Sequence, residues 1–344
     1  MIELKDDILV FSFPDVHAQA NLQIEFQRTL RIPDDGKTYP LPPGLGRFPL
    51  RHVDDHAGNI PAGWLEHGGV MLPMYQSEAL WLRFSPTYLP DHDEHYPFAI
   101  KVATGKIDAV TGQSWSDGLH RGPQDYMVAP RQPWLDGYCV TKGQIRQFVA
   151  MPLGAGYSAE EQITGRAEHG GLQIMVYPMK RALFEARFPK GKNRYWRGAF
   201  GTPAYMAPEP WRSQGMGLAP GGRMRQEIYD DPFALDDWNL DQKSRCFVHI
   251  ANSLVWHSIT GELPPTTPPT AKEYTKASLP WFDYYNDGAS PLPGSAILQK
   301  LKSVITLGQE KGDMPLPENE PVDTNVVVKL RAGLKKDEVR EGTF

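Results

Sequence analysis

YCVTKGQIRQFVAM, residues 138–151, has two apolar-rich arms around Lys142-Gly143, and its reading decides the fold class. A short turn containing Gly joins antiparallel strands readily, because Gly adopts positive φ without steric cost. The stretch therefore reads as a β-hairpin. Upstream, Leu22, Ile24 and Phe26 alternate with polar residues in NLQIEFQRTLRI (21–32), the period of a half-buried strand. EALWLRF (78–84), FAIKVA (98–103) and KIDAV (106–110) follow, the last two joined at Thr104-Gly105. GLQIMVYPM (171–179) adds a more continuously apolar strand, and Pro-rich corners such as YPLPPGLGRFPL (39–50) separate the elements.

Many short strands with Gly/Pro corners favour a sheet folded on itself over an alternating β-α-β chain. The expected class is α+β and β-rich: an antiparallel sandwich or barrel with two or three late helices. In 245–259, Phe247, Ile250, Ala251, Leu254, Val255 and Ile259 fall at three- and four-residue spacing, which predicts a helix ending at Gly261. SAILQKLKSVITLG (295–308) predicts a second helix, ending at Gly308. The chain is read as one unit over 1–311, strand-rich in 1–230 and helix-containing in 231–311. A C-terminal strand, NVVVKL (325–330), and a loose charged tail occupy 312–344.

With 344 residues, 40% of them hydrophobic, the chain can bury a sizeable core. A net charge of −5 disfavours generic nucleic-acid binding. The acidic start MIELKDDILVFSFPDV does not resemble a signal peptide, and no apolar run is long enough for a membrane span. A soluble, cytoplasmic protein is expected. Cys139 and Cys246 are too few for a disulfide framework.

Charge is segregated in one region. Lys180–Arg225 holds ten Lys/Arg against Glu185 and Glu209, whereas Gln226–Asp241 holds Glu227, Asp230, Asp231, Asp236, Asp237 and Asp241 with no base. Arg194, Trp196, Arg197, Trp211, Arg212, Arg223 and Arg225 are the candidate ligand-binding residues. Arg recognises planar anions and Trp offers a stacking face, so an anionic or sugar-like ligand is expected. The competing reading is a long loop pinned by its acidic neighbour. DDPFALDDWNLD (230–241) lacks the Gly and terminal Glu of an EF-hand. GLAPGGRMRQ (217–226) lacks a P-loop ending but suits an anion-binding nest of backbone N–H groups.

His52, Asp54, Asp55 and His56 form the leading candidate for a divalent metal site, with Asp91–His95 the second. Neither matches a strong metal signature. Cys246 and His249, three apart on the expected helix, read as packing residues. One motif recurs: Glu66-His67-Gly68-Gly69 and Glu168-His169-Gly170-Gly171 each precede an apolar strand ending in Pro-Met. Two glycines suit a tight turn into a strand; alternatively, the paired His and Glu belong to one site.

Four segments carry a resemblance: FQRTLRIPDDGKTYPLPPGLG (26–46), PWLDGYCVTKGQIRQFVAMPLGAGYSAEEQ (133–162), EHGGLQI (168–174) and PWFDYY (280–285). They are similar to an uncharacterised family of soluble bacterial and fungal proteins, some labelled as integral membrane proteins. The resemblance spans most of the chain and implies no ligand, fold or catalytic residue. Three functional expectations stand. The first is binding of an anionic or polyhydroxyl ligand, or a partner, through residues 189–225. The second is a metal-assisted hydrolase or lyase using His52/His56. The third is a structural homo-oligomer.

Overall fold

The computed structural model describes residues 1–191, 215–286, 288–313, 319–324 and 326–331. Arg194, Trp196, Arg197, Trp211 and Arg212 lie outside them.

Two sheets enclose one apolar core. The ten-stranded sheet runs through Ile2–Lys5, Ile8–Ser12, Asn21–Thr29, Ala79–Pro86, Gln144–Pro152, Met216–Arg225 and Thr38–Tyr39, with three short strands paired alongside. The seven-stranded sheet runs Ile107–Asp108, Phe98–Thr104, Leu172–Pro178, Ser244–Asn252, Val70–Met74 and Arg51–His52, with Met127–Ala129 beside Phe98–Thr104. Leu22, Ile24, Phe26 and Phe148 of the first sheet share a single core with Ile100, Val102, Ile174 and Val248 of the second. The Tyr138 hydroxyl joins the layers, lying 2.7 Å from Thr104 Oγ1 and donating to the Leu218 carbonyl at 2.9 Å. The architecture is sandwich-like and not a closed barrel.

The expected hairpins form. Gly137–Thr141 pairs antiparallel with Gln144–Pro152 around Gly143, whose φ is +72°. Phe98–Thr104 pairs with Ile107–Asp108 through Gly105 and Lys106, both at positive φ. Among the described residues, pairing is antiparallel except at three places: 216–225 beside 38–39, 244–252 beside 70–74, and Trp281–Tyr285 beside Val327–Arg331 in a separate two-stranded sheet.

The helices depart from expectation. Residues 244–252 form a strand, and the helix covers only Ser253–Thr260, capped by the Asn252 side chain and ending at Gly261. From Cys246 to Asn252 this strand is buried almost throughout, so polar alternation is missing and its apolar spacing mimics a helix. The 295–308 segment makes two short helices, Ala296–Gln299 and Val304–Lys311, the latter passing through Gly308 to Gly312. Short helices also occur early, at Ala62–His67, Ala159–Thr164 and Arg181–Arg187.

The Gly-rich 217–226 stretch is not an anion nest. It lies in the Met216–Arg225 strand, where small residues admit close neighbours: a Cβ on Gly222 would lie 2.4 Å from the Pro33 carbonyl oxygen. Among the described residues, no helix is long and apolar enough to cross a membrane. Cys139 and Cys246 are both free and buried.

Candidate functional site

Both Glu-His-Gly-Gly segments end beside the same residue. Val70, directly after the first, pairs with Val248 in parallel register; Leu172, directly after the second, pairs with Val248 in antiparallel register. The two strands run away from Val248 in opposite directions, so their preceding turns converge across the 244–252 strand. The glycines make this approach feasible. Gly68, Gly69, Gly170 and Gly171 all have positive φ. A Cβ at Gly69 would lie 2.1 Å from the Phe247 carbonyl oxygen, and one at Gly171 would lie 2.4 Å from that of Val248. Contacts this short exclude a side chain at either position.

The convergence gathers an imidazole–aromatic cluster. Phe247 stacks on His67 at a centroid distance of 4.6 Å and on His249 at 4.5 Å. Trp64, one helical turn before His67, stacks on the other side of the cluster against His249 at 4.8 Å. His169 meets His67 edge to face at 5.9 Å. Exposure is graded: His67 is open, His169 and Phe247 are half-buried, and His249 is 1% exposed.

Each turn has its own brace. The Glu160 carboxylate, 2% exposed, accepts the backbone N–H groups of Glu168, His169 and Gly170 at 3.0, 2.9 and 2.8 Å. Gln173 adds an amide N–H to the Gly170 carbonyl at 3.0 Å. The first turn is held from the opposite direction. His249 Nε2 lies 3.1 Å from the Gly68 carbonyl, which can only accept, so Nε2 carries the proton. His249 Nδ1 is then a bare acceptor, buried and without a partner among the described residues; His169 Nδ1 is likewise buried and without a partner among them.

Burial pushes His249 down to about 4, with the neighbouring His67 adding to the effect and the Gly68 carbonyl opposing it. His169 is also lowered, first by burial, then by Lys106. Both rings are therefore neutral near pH 7. Their nitrogen atoms do not converge on a cation: among the described residues, no group of three His, Cys, Asp or Glu side chains is arranged to hold a metal. The cluster is a surface platform. Cavities of about 250 Å³ and about 240 Å³ lie elsewhere, the first lined by Lys276 and Trp281 and the second by Cys139 and Ser295.

The other candidates are dispersed. His52 ends a two-residue strand, while Asp54, Asp55 and His56 form a 3-10 turn; the four do not assemble a metal site. His92 of the second acidic stretch is buried, its Nδ1 beside the Phe188 carbonyl and its ring packed on Phe184. Arg225 pairs with Asp283 at 2.9 Å, whereas Arg223 is exposed. Within the acidic stretch, Asp237 pairs with Arg187 and Asp231 accepts from Trp238 Nε1 at 2.9 Å. These two acids are structural. Cys246 and His249 are three apart on a strand and so point to opposite faces, which ends any reading of them as a pair.

His67 and His169 were legible in the repeat, but Trp64, Phe247 and the role of His249 were not. The available signal was Trp64 three residues before His67, one turn of a short helix. No family model, curated protein or solved structure matches this chain.

Proposed function

We propose that this chain is a β-rich binding protein for a small polyhydroxyl, sugar-like molecule, seated on the platform of His67, Phe247, His249 and Trp64. One observation carries this reading: two distant turns bring His67 and His169 to the strand that carries Phe247 and His249, with Trp64 stacked on His249. The buried Nδ1 atoms of His169 and His249 remain without partners there among the described residues. Ring faces suit the C–H faces of a sugar. The neutral imidazoles of His169 and His249 favour an uncharged ligand over an anion. The described end of the basic aromatic segment lies close by, since Gly215 bridges to Ala251 and a Cβ there would meet Trp64 at 3.9 Å.

The test is histidine side-chain NMR during titration with glucose, mannose, ribose and inositol. Saturable shifts of the His169 and His249 imidazole signals by one of these, abolished in Phe247→Ala, support the reading. Unmoved signals across all four would overturn it.

A further inference from the structure

We infer that the free edge of the Ile2–Lys5 strand pairs with the same strand of a second copy of this chain, antiparallel and centred on Leu4. Ile2–Lys5 ends the ten-stranded sheet and pairs with Ile8–Ser12 alone. The other end of that sheet is the two-residue strand Thr38–Tyr39, followed by Leu41, which exchanges backbone hydrogen bonds with Phe282. Both ends of the seven-stranded sheet are also two residues long.

Bond phase fixes which backbone groups face outward. Met1 and Ser12 bond each other in both directions, at 2.9 Å each. Such pairs alternate along an antiparallel ladder, so Glu3 and Lys5 bond inward to Val10 and Ile8, and the N–H and C=O groups of Ile2 and Leu4 point outward. Among the described residues, no backbone hydrogen bond from outside the hairpin reaches either of them.

Charge selects the occupant. Ile2 and Leu4 pack on the core, whereas Glu3 and Lys5 project from the opposite face and form an ion pair with each other. An antiparallel copy centred on Leu4 sets Leu4 against Leu4 in a hydrogen-bonded pair. It sets each Glu3 against the other copy's Lys5 in the closer, non-hydrogen-bonded pairs, where opposite charges stabilise the contact. The register centred on Glu3 would instead place two Glu3 carboxylates face to face. A lone edge charge deters pairing, but opposite charges placed symmetrically about Leu4 make this edge complementary to itself, as a two-fold contact requires. A contact this short gives a weak, concentration-dependent dimer. It does not depend on the platform at His67.

Sedimentation velocity of the full chain over rising concentration tests it. The parent should pass from monomer to dimer. Glu3→Lys and Lys5→Glu each set like charges opposite one another and should weaken self-association at least about tenfold. An equimolar mixture of the two variants restores both opposite-charge pairs and should associate about as tightly as the parent. The side chains of Glu3 and Lys5 are 38% and 65% exposed, so both variants should fold, which unchanged melting curves check. A parent still monomeric at about 1 mM, variants that self-associate as the parent does, or a mixture as weak as either variant alone would each overturn the assignment.

Discussion

The imidazoles of His67 and His169 meet edge to face, with centroids 5.9 Å apart and planes inclined at 65°. They come from opposite sides of one strand. The contact exists because Val70 and Leu172 both take Val248 as register partner, one parallel and one antiparallel.

Adjacent glycines in the first turn should respond differently to alanine. Both Gly68 and Gly69 have positive φ, which costs a side chain about 1–3 kcal/mol. Only Gly69 adds a clash, since nothing lies within 4 Å of a Cβ built on Gly68. Chemical denaturation should show Gly69→Ala losing clearly more stability than Gly68→Ala; equal losses would mean that backbone strain alone explains the motif.

Glu160→Gln should loosen the second turn. Both carboxylate oxygens accept backbone N–H groups, so an amide must aim its NH₂ at one of those donors. The expected cost is about 2–3 kcal/mol, as for other hydrogen bonds to a charged group. Amide hydrogen exchange at residues 168–170 should accelerate. Unchanged protection there would show that Gln173 and the flanking strand suffice.

His249 should make stability fall with acid. Its folded pKa, about 4, lies below the ordinary value near 6.5, so the unfolded chain takes up the proton first. Its contribution is complete above about pH 6.5 and is lost as pH falls toward 4. The full difference is roughly 3 kcal/mol. Melting curves of His249→Gln, which keeps a donor for the Gly68 carbonyl, should show a shallower acid slope by about one proton. An unaltered slope would place the titration elsewhere.

Asp136 should act with the opposite sign. Burial raises its carboxyl to about 7, with Gln226 opposing through a 2.6 Å hydrogen bond. The folded state keeps this proton where the unfolded chain has released it, so stability is lost as pH rises from about 4 to 7. Asp136→Asn, neutral throughout, should match the parent at pH 4 and exceed it above pH 7 by a few kcal/mol. Thermal melts at both pH values decide this; no gain at high pH would mean that the buried carboxylate is better solvated than its 3% exposure implies.

Local chemistry made part of this legible in advance. Alternation in 21–29 and the Gly turns at 105 and 143 specify strands and hairpins from neighbouring residues alone. The repeated Glu-His-Gly-Gly was visible too, because paired glycines with positive φ are a local requirement. The 244–252 strand was not legible. Burial of both its faces removes the polar alternation that distinguishes a strand from a helix, and the following Ser253–Thr260 helix extends the same apolar spacing. The acids Asp231 and Asp237 likewise resemble a solvated cluster until their partners Trp238 and Arg187 are known.

Amino-acid order thus determined the β-rich class, the turns and the capacity of residues 66–69 and 168–171 for close approach, all consequences of interactions within a few residues. That both turns close on Val248, bringing His67 onto Phe247 and against His169, was decided by strand register across the sheet. Register depends on which distant surfaces bury each other, and no local spacing encodes that.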